Sequence, residues 1–220
     1  MNKILAALLF CCAPAYAQDP KVEFFTPDAT GCMILKECKE DVVQITNAKQ
    51  LSDIIGGPEA EIIADELSLL VNAIVDLGVE IYIAPARYFV PKVQGMYHSK
   101  FNSIYLNLQY MRDSKFLIGT LRHEGWHLAQ DCMAGTIDNS IIAVIMDEEK
   151  IPGIHKYLTK IVYAEIPFAI PWEQEAKWAE ATGYMTINAL EACKTGAMWE
   201  IYEPTPLTRQ YLIDEGFIKE

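Results

Sequence analysis

A mixed α+β fold is predicted by three observations on this chain. Large apolar residues recur at helical spacing over 58–77, through Ile62, Ile63, Leu67, Leu70, Val71 and Ile74, and again over 116–131. Short β-branched segments at 42–45, 79–83 and 104–108 lie between turn-forming residues and read as strands. A further helical stretch opens at Pro171 and runs to about residue 193. Together these predict a small mixed sheet packed on the 116–131 helix, with the 171–193 helix beside it.

Length and composition bound the reading. The chain has 220 residues, 51% of them hydrophobic, which suits one domain with a sizeable core over 18–220. A formal net charge of −12 argues against a partner that presents nucleic-acid backbone, which calls for Lys and Arg. Residues 1–17 have the pattern of a secretory signal: Lys3, an apolar run over 4–13, then Ala15-Tyr16-Ala17 as a small-x-small cleavage site. That apolar run is too short to span a bilayer, and the next candidate, 161–171, is short and contains Glu165. The expected protein is cleaved after Ala17 and is secreted or periplasmic, with no stable membrane insertion. Cys11 and Cys12 leave with the signal, while Cys32, Cys38, Cys132 and Cys193 remain. An even number of cysteines in an exported chain implies disulfides. Three pairings are open; Cys32–Cys38 with Cys132–Cys193 is favoured, and a structural zinc held by all four is the rival.

Taken in order, 18–56 is mixed and punctuated by Pro20, Pro27, Gly31 and Gly56, with a short strand at 42–45. The 58–77 helix has Pro58 in its first turn and Gly78 just past its end. Strand 79–83 follows. Residues 84–103 read as loop, broken by Pro85, Pro91, Gly95 and Asn102, and lead to strand 104–108. After the 116–131 helix, 133–155 alternates apolar and polar pieces around Asp147-Glu148-Glu149, which reads as a solvated turn. Residues 161–170 are apolar. No internal repeat or low-complexity segment is present.

The 116–131 helix contains Leu121-Arg122-His123-Glu124-Gly125-Trp126-His127, an H-E-x-x-H motif. Residues four apart share a helix face, so His123 and His127 aim their imidazoles at one point with Glu124 at its rim. Leu117, Leu121 and Leu128 fall on the back, with Gly125 beside them, while Gly119 and Thr120 precede the histidines and leave room at the front. Zinc accepts such nitrogens, and a catalytic zinc keeps three protein ligands and a water. The spacing therefore predicts two ligands and, in Glu124, a general base.

This stretch resembles the zincin metallopeptidases. The resemblance implies strands ahead of the motif, one of them an edge that pairs with extended peptide substrate, a role that would fall on 104–108. It also implies a third ligand. The metzincin histidine is absent from His127-Leu128-Ala129-Gln130-Asp131-Cys132-Met133. The gluzincin-like alternative is a glutamate on a later helix, and Glu173-Gln174-Glu175-Ala176 matches the first four positions of its pattern, with Lys177 departing at the fifth. On a helical wheel Trp172, Ala176, Ala179 and Gly183 form the inner stripe and the two glutamates flank it. Geometry leaves Glu173 and Glu175 open, with His155 a further candidate, and the resemblance favours Glu173.

Gln130 or Asp131 could bond the far nitrogen of a ligating imidazole. A donor to a developing oxyanion is expected among Tyr163, Tyr184, Tyr202, His98 and His155, with none singled out. Trp126, Trp172 and Trp178 read as core. The expectation is an exported, gluzincin-like zinc peptidase acting on a peptide or protein substrate, with Zn2+ on His123, His127 and Glu173 and Glu124 as base. The rival is a secreted binding protein that keeps the metal fold without catalysis, for which an intact Glu124 serves no purpose.

Overall fold

The computed structural model describes residues 41–219. Residues 1–17, expected to be a signal, and Cys32 and Cys38 lie outside the described residues. The fold is mixed α+β with a small four-stranded mixed sheet.

Strand β1 (Val43–Ile45) leads to helix α1 (Ala48–Ile55), in a region whose sequence reads only as mixed. Its start signal is nevertheless local: Asn47 accepts from Gln50 N, and the Gln50 side chain reaches back to the cap, a reciprocal capping box. Helix α2 (Gly57–Asp76) buries Leu67, Leu70, Val71 and Ile74 of its periodic set, whereas Ile63 is half-buried and Ile62, in the first turns, is 82% exposed. Strand β2 (Glu80–Ala84), β3 (Gly95–His98) and β4 (Ser103–Asn107) complete the sheet in the order β1-β2-β4-β3. β2 and β4 are parallel, with Ile81 opposite Ile104, while β1 on β2 and β3 on β4 are antiparallel.

This order corrects the reading of 104–108 as a substrate-binding edge. β4 is paired on both sides, and the edge strand beside the motif helix is β3, inside the stretch that reads as loop. Four residues between breakers carry little sequence signal, yet Met96, Tyr97 and His98 are all buried. Gly95 makes the approach possible: a Cβ there would lie 2.5 Å from Thr120 Cγ2 and 3.3 Å from Glu124 Cγ. A bare glycine therefore lets the edge rest directly against the central helix.

That helix, α3 (Ser114–Met133), carries the motif and is packed by the sheet, α2 and the two later helices. Leu117, Leu121 and Leu128 are fully buried on its back, as the wheel predicts. Helix α4 (Gly153–Val162) precedes α5 (Ile170–Ala181), and α6 (Met185–Lys194) follows. α4 is not anticipated by the sequence reading, and the continuous 171–193 helix it expects is two helices. The break has a tertiary cause. Glu66 takes Arg122 Nε at 2.7 Å and the backbone N–H of Tyr184 at 3.2 Å, holding Tyr184 at φ 62. α6 then turns back across α3, where Gly125 faces Thr186 and the Thr186 hydroxyl donates to Arg122 O at 2.8 Å.

Cys132 and Cys193 form a disulfide joining the ends of α3 and α6, which removes the four-thiolate zinc site from consideration. Its 61-residue separation restricts the unfolded chain by about 4 kcal/mol. Two short helices, α7 (Met198–Ile201) and α8 (Pro206–Asp214), end the described chain. Trp126 is fully buried, whereas Trp172 and Trp178, also read as core, are only half-buried. No helix among the described residues is long and apolar enough to cross a membrane.

Candidate metal centre

α3 is held at its start by Asp113, whose side chain accepts from the backbone N–H groups of Lys115 and Phe116. Two turns further on, its cleft-facing side brings His123 Nε2 and His127 Nε2 to 3.3 Å of each other. Glu173 arrives from the first turn of α5, with Oε2 3.1 Å from His123 Nε2 and Oε1 3.4 Å from His127 Nε2. Three ligands around one tetrahedral zinc would stand about 3.3 Å apart, given metal–ligand distances of about 2.0–2.1 Å. The His123, His127 and Glu173 cluster could therefore hold a metal ion.

The protons on the two rings agree with that use. Gln130 is held by its Nε2, which donates to Trp172 O at 3.1 Å and to Glu175 Oε2 at 2.7 Å. Its Oε1 then faces His127 Nδ1 at 2.7 Å and accepts the ring proton. Glu180 places Oε2 3.4 Å from His123 Nδ1, and a carboxylate can only accept. Both protons sit on the outer nitrogens, so both inner nitrogens present lone pairs to the same point as the Glu173 oxygens. Three acceptors aimed together call for a cation. Without a metal, a proton answers that call at His123: burial opposes it, but the hydrogen bonds of Glu173 and Glu180 and the charge of Glu124 push the ring up to about 9. Burial likewise opposes ionisation of Glu180, yet His123 and Lys177 bring its carboxyl down to about 2.

Glu124 is buried and accepts the backbone N–H of Tyr97 at 2.7 Å, so the edge strand fixes its carboxylate. His123, Glu124 and Glu173 line an open cleft of about 350 Å3, with His127 buried behind them. Residues 90–95 make one wall, Leu158, Val162, Tyr163 and Ile166 the other, and Lys177 and Glu180 close the back. Of the five predicted oxyanion donors, Tyr163 lines this cleft and hydrogen-bonds Glu173. Burial and the carboxylates Glu173, Glu124 and Glu180 hold its phenol well above the usual range, so it stays a donor. Tyr184 is half exposed, His98 packs on Phe101, and Tyr202 packs against the main core.

Glu175 is not at the cluster. Its carboxylate, wholly buried, accepts from Gln130 Nε2, from Trp126 Nε1 at 3.2 Å, and from the backbone N–H groups of Ile145 and Met146 at 3.0 and 2.6 Å. Burial pushes it up to about 7 against those hydrogen bonds. His155 stands on α4 away from the cluster, its ring held below the ordinary value by burial and the Lys177 charge. Of the two residues expected to support a ligating imidazole, Gln130 does so. Asp131 instead accepts the Tyr97 hydroxyl at 2.7 Å.

Glu180 is the functional candidate that sequence reasoning missed. The departure at Lys177 drew attention to the fifth position of the pattern, but the supporting carboxylate stands one turn later, seven residues after Glu173 and on its face. Lys177 reaches across at 2.8 Å to steady it. As built, the cleft offers a site for a cation, a buried carboxylate and a phenol donor beside it. A scan against protein-family models and searches of curated proteins and of solved structures found no match.

Proposed function

We propose that this protein is an exported, zinc-dependent metallopeptidase of gluzincin-like zincin type. One observation carries the proposal: His123, His127 and Glu173 converge, and His123, Glu173 and Glu124 line an open cleft. Two imidazole nitrogens and one carboxylate oxygen suit zinc, and His2Glu is a donor set of catalytic sites that keep a position open. The disulfide supports export to an oxidising compartment.

Zinc held there supplies a Lewis acid that acidifies a water and polarises a carbonyl. The chain's own residues do the rest. Gln130 and Glu180 keep the imidazoles turned with Nε2 inward. Glu124 takes the proton of the attacking water and returns it to the nitrogen of the leaving amine. The Tyr97 N–H holds that carboxylate in place between the two transfers. Tyr163, kept protonated, donates to the carbonyl oxygen of the substrate as charge grows on it. The substrate main chain lies in the cleft along residues 90–95.

Metal analysis and a chelator-controlled digest of a peptide library test this. Glu124→Gln is expected to retain its zinc while cleavage falls by about 100- to 10,000-fold. Wild-type rates in that variant, or a digest indifferent to chelator, would overturn the proposal.

A further inference from the structure

α4 carries a face that the described fold leaves uncovered. Ile154, Tyr157, Ile161 and Val162 are 57%, 63%, 58% and 71% exposed, and Leu158 is 38% exposed. Spacings of three and four place all five in one stripe. Single apolar residues on a surface need no explanation, but a contiguous stripe marks an interaction site. The other side of the helix is occupied: α4 packs on α5, and Thr159 is buried there.

The stripe runs into the cleft. Leu158 and Val162 belong to both, and Val90, Pro91 and Val93 face them from the opposite wall. Between Leu158 and Val162 the buried hydroxyl of Thr159 also lines the cleft and has no hydrogen-bond partner among the described residues. A buried hydroxyl without a partner is costly, and a ligand's main chain in the cleft would supply one.

We propose that the apolar face of α4 extends the substrate site, and that the substrate is a polypeptide carrying a cluster of bulky apolar side chains beside the bond cleaved. This rests on the peptidase function proposed above. A ten-residue helix is about 15 Å long, which an extended chain covers in about five residues. The apolar cluster therefore lies within about five residues of the scissile bond. A lipid surface fits less well. The chain carries −12 net charge, Asp147, Glu148 and Glu149 precede α4, and a bilayer cannot enter a cleft between two walls. A second copy fits less well too, since one short helix face is narrow against the roughly 800 Å2 per partner of a stable interface.

The test reads binding without turnover, in the zinc-loaded, full-length Glu124→Gln protein. Two fluorescein-labelled 14-residue peptides serve as probes, alike except that four adjacent Leu and Phe residues in one are Ser in the other. The apolar peptide is expected to bind at least about tenfold tighter. Adding Tyr157→Ser and Ile161→Ser, both exposed and away from the cleft floor, is expected to remove that advantage. Equal binding of the two peptides, or an advantage that survives both substitutions, would overturn the proposal. So would self-association in sedimentation velocity, or co-sedimentation with phosphatidylcholine vesicles, that the double substitution abolishes. Failure of the peptidase function shows separately, as the absence of cleavage of either peptide by the wild-type protein.

Discussion

Glu173 and Glu175 stand two residues apart on α5, with 1% and 0% exposure, and they do opposite work. Glu175 turns towards donors: a side-chain amide, an indole and two backbone N–H groups surround its oxygens. The fold completes that carboxylate, which in return ties the 145–146 segment and Gln130 to α5. Glu173 accepts the Tyr163 phenol and otherwise turns towards two imidazole nitrogens whose ring protons are held on their far sides. A cation bound between the two rings and this carboxylate would complete it. Burial does not separate a structural acid from a ligand; the character of the groups facing it does.

The sharpest way to break this contrast is to remove each glutamate in turn. Glu173→Ala should lower zinc affinity by at least about 100-fold, since a binding free energy of order 10 kcal/mol is shared among three ligands. Compared at pH 9.5, where His123 has given up the proton that Glu173 helps to hold, the metal-free protein should lose little stability. Glu175→Ala should do the reverse, leaving several buried donors unmet at a cost of about 3 kcal/mol or more. Denaturation of the metal-free proteins, alongside zinc titration, reads both. If Glu175→Ala stays as stable as wild type and loses zinc as Glu173→Ala does, the two faces are not distinct.

Smaller changes sharpen it. Glu180→Ala and Gln130→Ala leave all three proposed ligands in place but release the imidazole each one steadies. Each should weaken zinc by about 10- to 100-fold, measured by competition with a chromogenic chelator. Unchanged affinity in both would mean that the rings are set by packing alone.

The mildest effect is on pH. In the metal-free protein His123 holds its proton up to about 9, against 6.5 for an ordinary histidine. Its folded value is raised, so its contribution to stability is complete below about 6.5 and is lost as pH rises through about 9. Zinc takes the place of that proton, so the loaded protein should lack this fall. Urea denaturation at pH 6 and pH 9.5, with and without zinc, checks it; parallel profiles would count against the cluster as the metal site.

What was legible in the sequence was what local periodicity writes. Two histidines four apart share a face on any helix, and Leu117, Leu121 and Leu128 could be placed behind them without knowing what they touch. The 58–77 helix, with Pro58 at its start and Gly78 beyond its end, was equally local. So was the capping box at Asn47 and Gln50, although it was passed over. α4 was missed because its apolar stripe faces solvent, and apolar residues are read first as core.

By itself, then, the sequence determined the motif helix, the identity of its two nitrogen donors and the neighbouring carboxylate, because each follows from backbone geometry within a few residues. Tertiary structure alone decided that Glu173 meets those nitrogens while Glu175 meets Ile145 and Met146. It also decided that Glu180 supports His123, that Glu66 breaks the long helix at Tyr184, and that β4 lies inside the sheet. Each of these depends on groups brought together from distant parts of the chain, and a wheel drawn on one helix carries no information about what the rest of the chain packs against it.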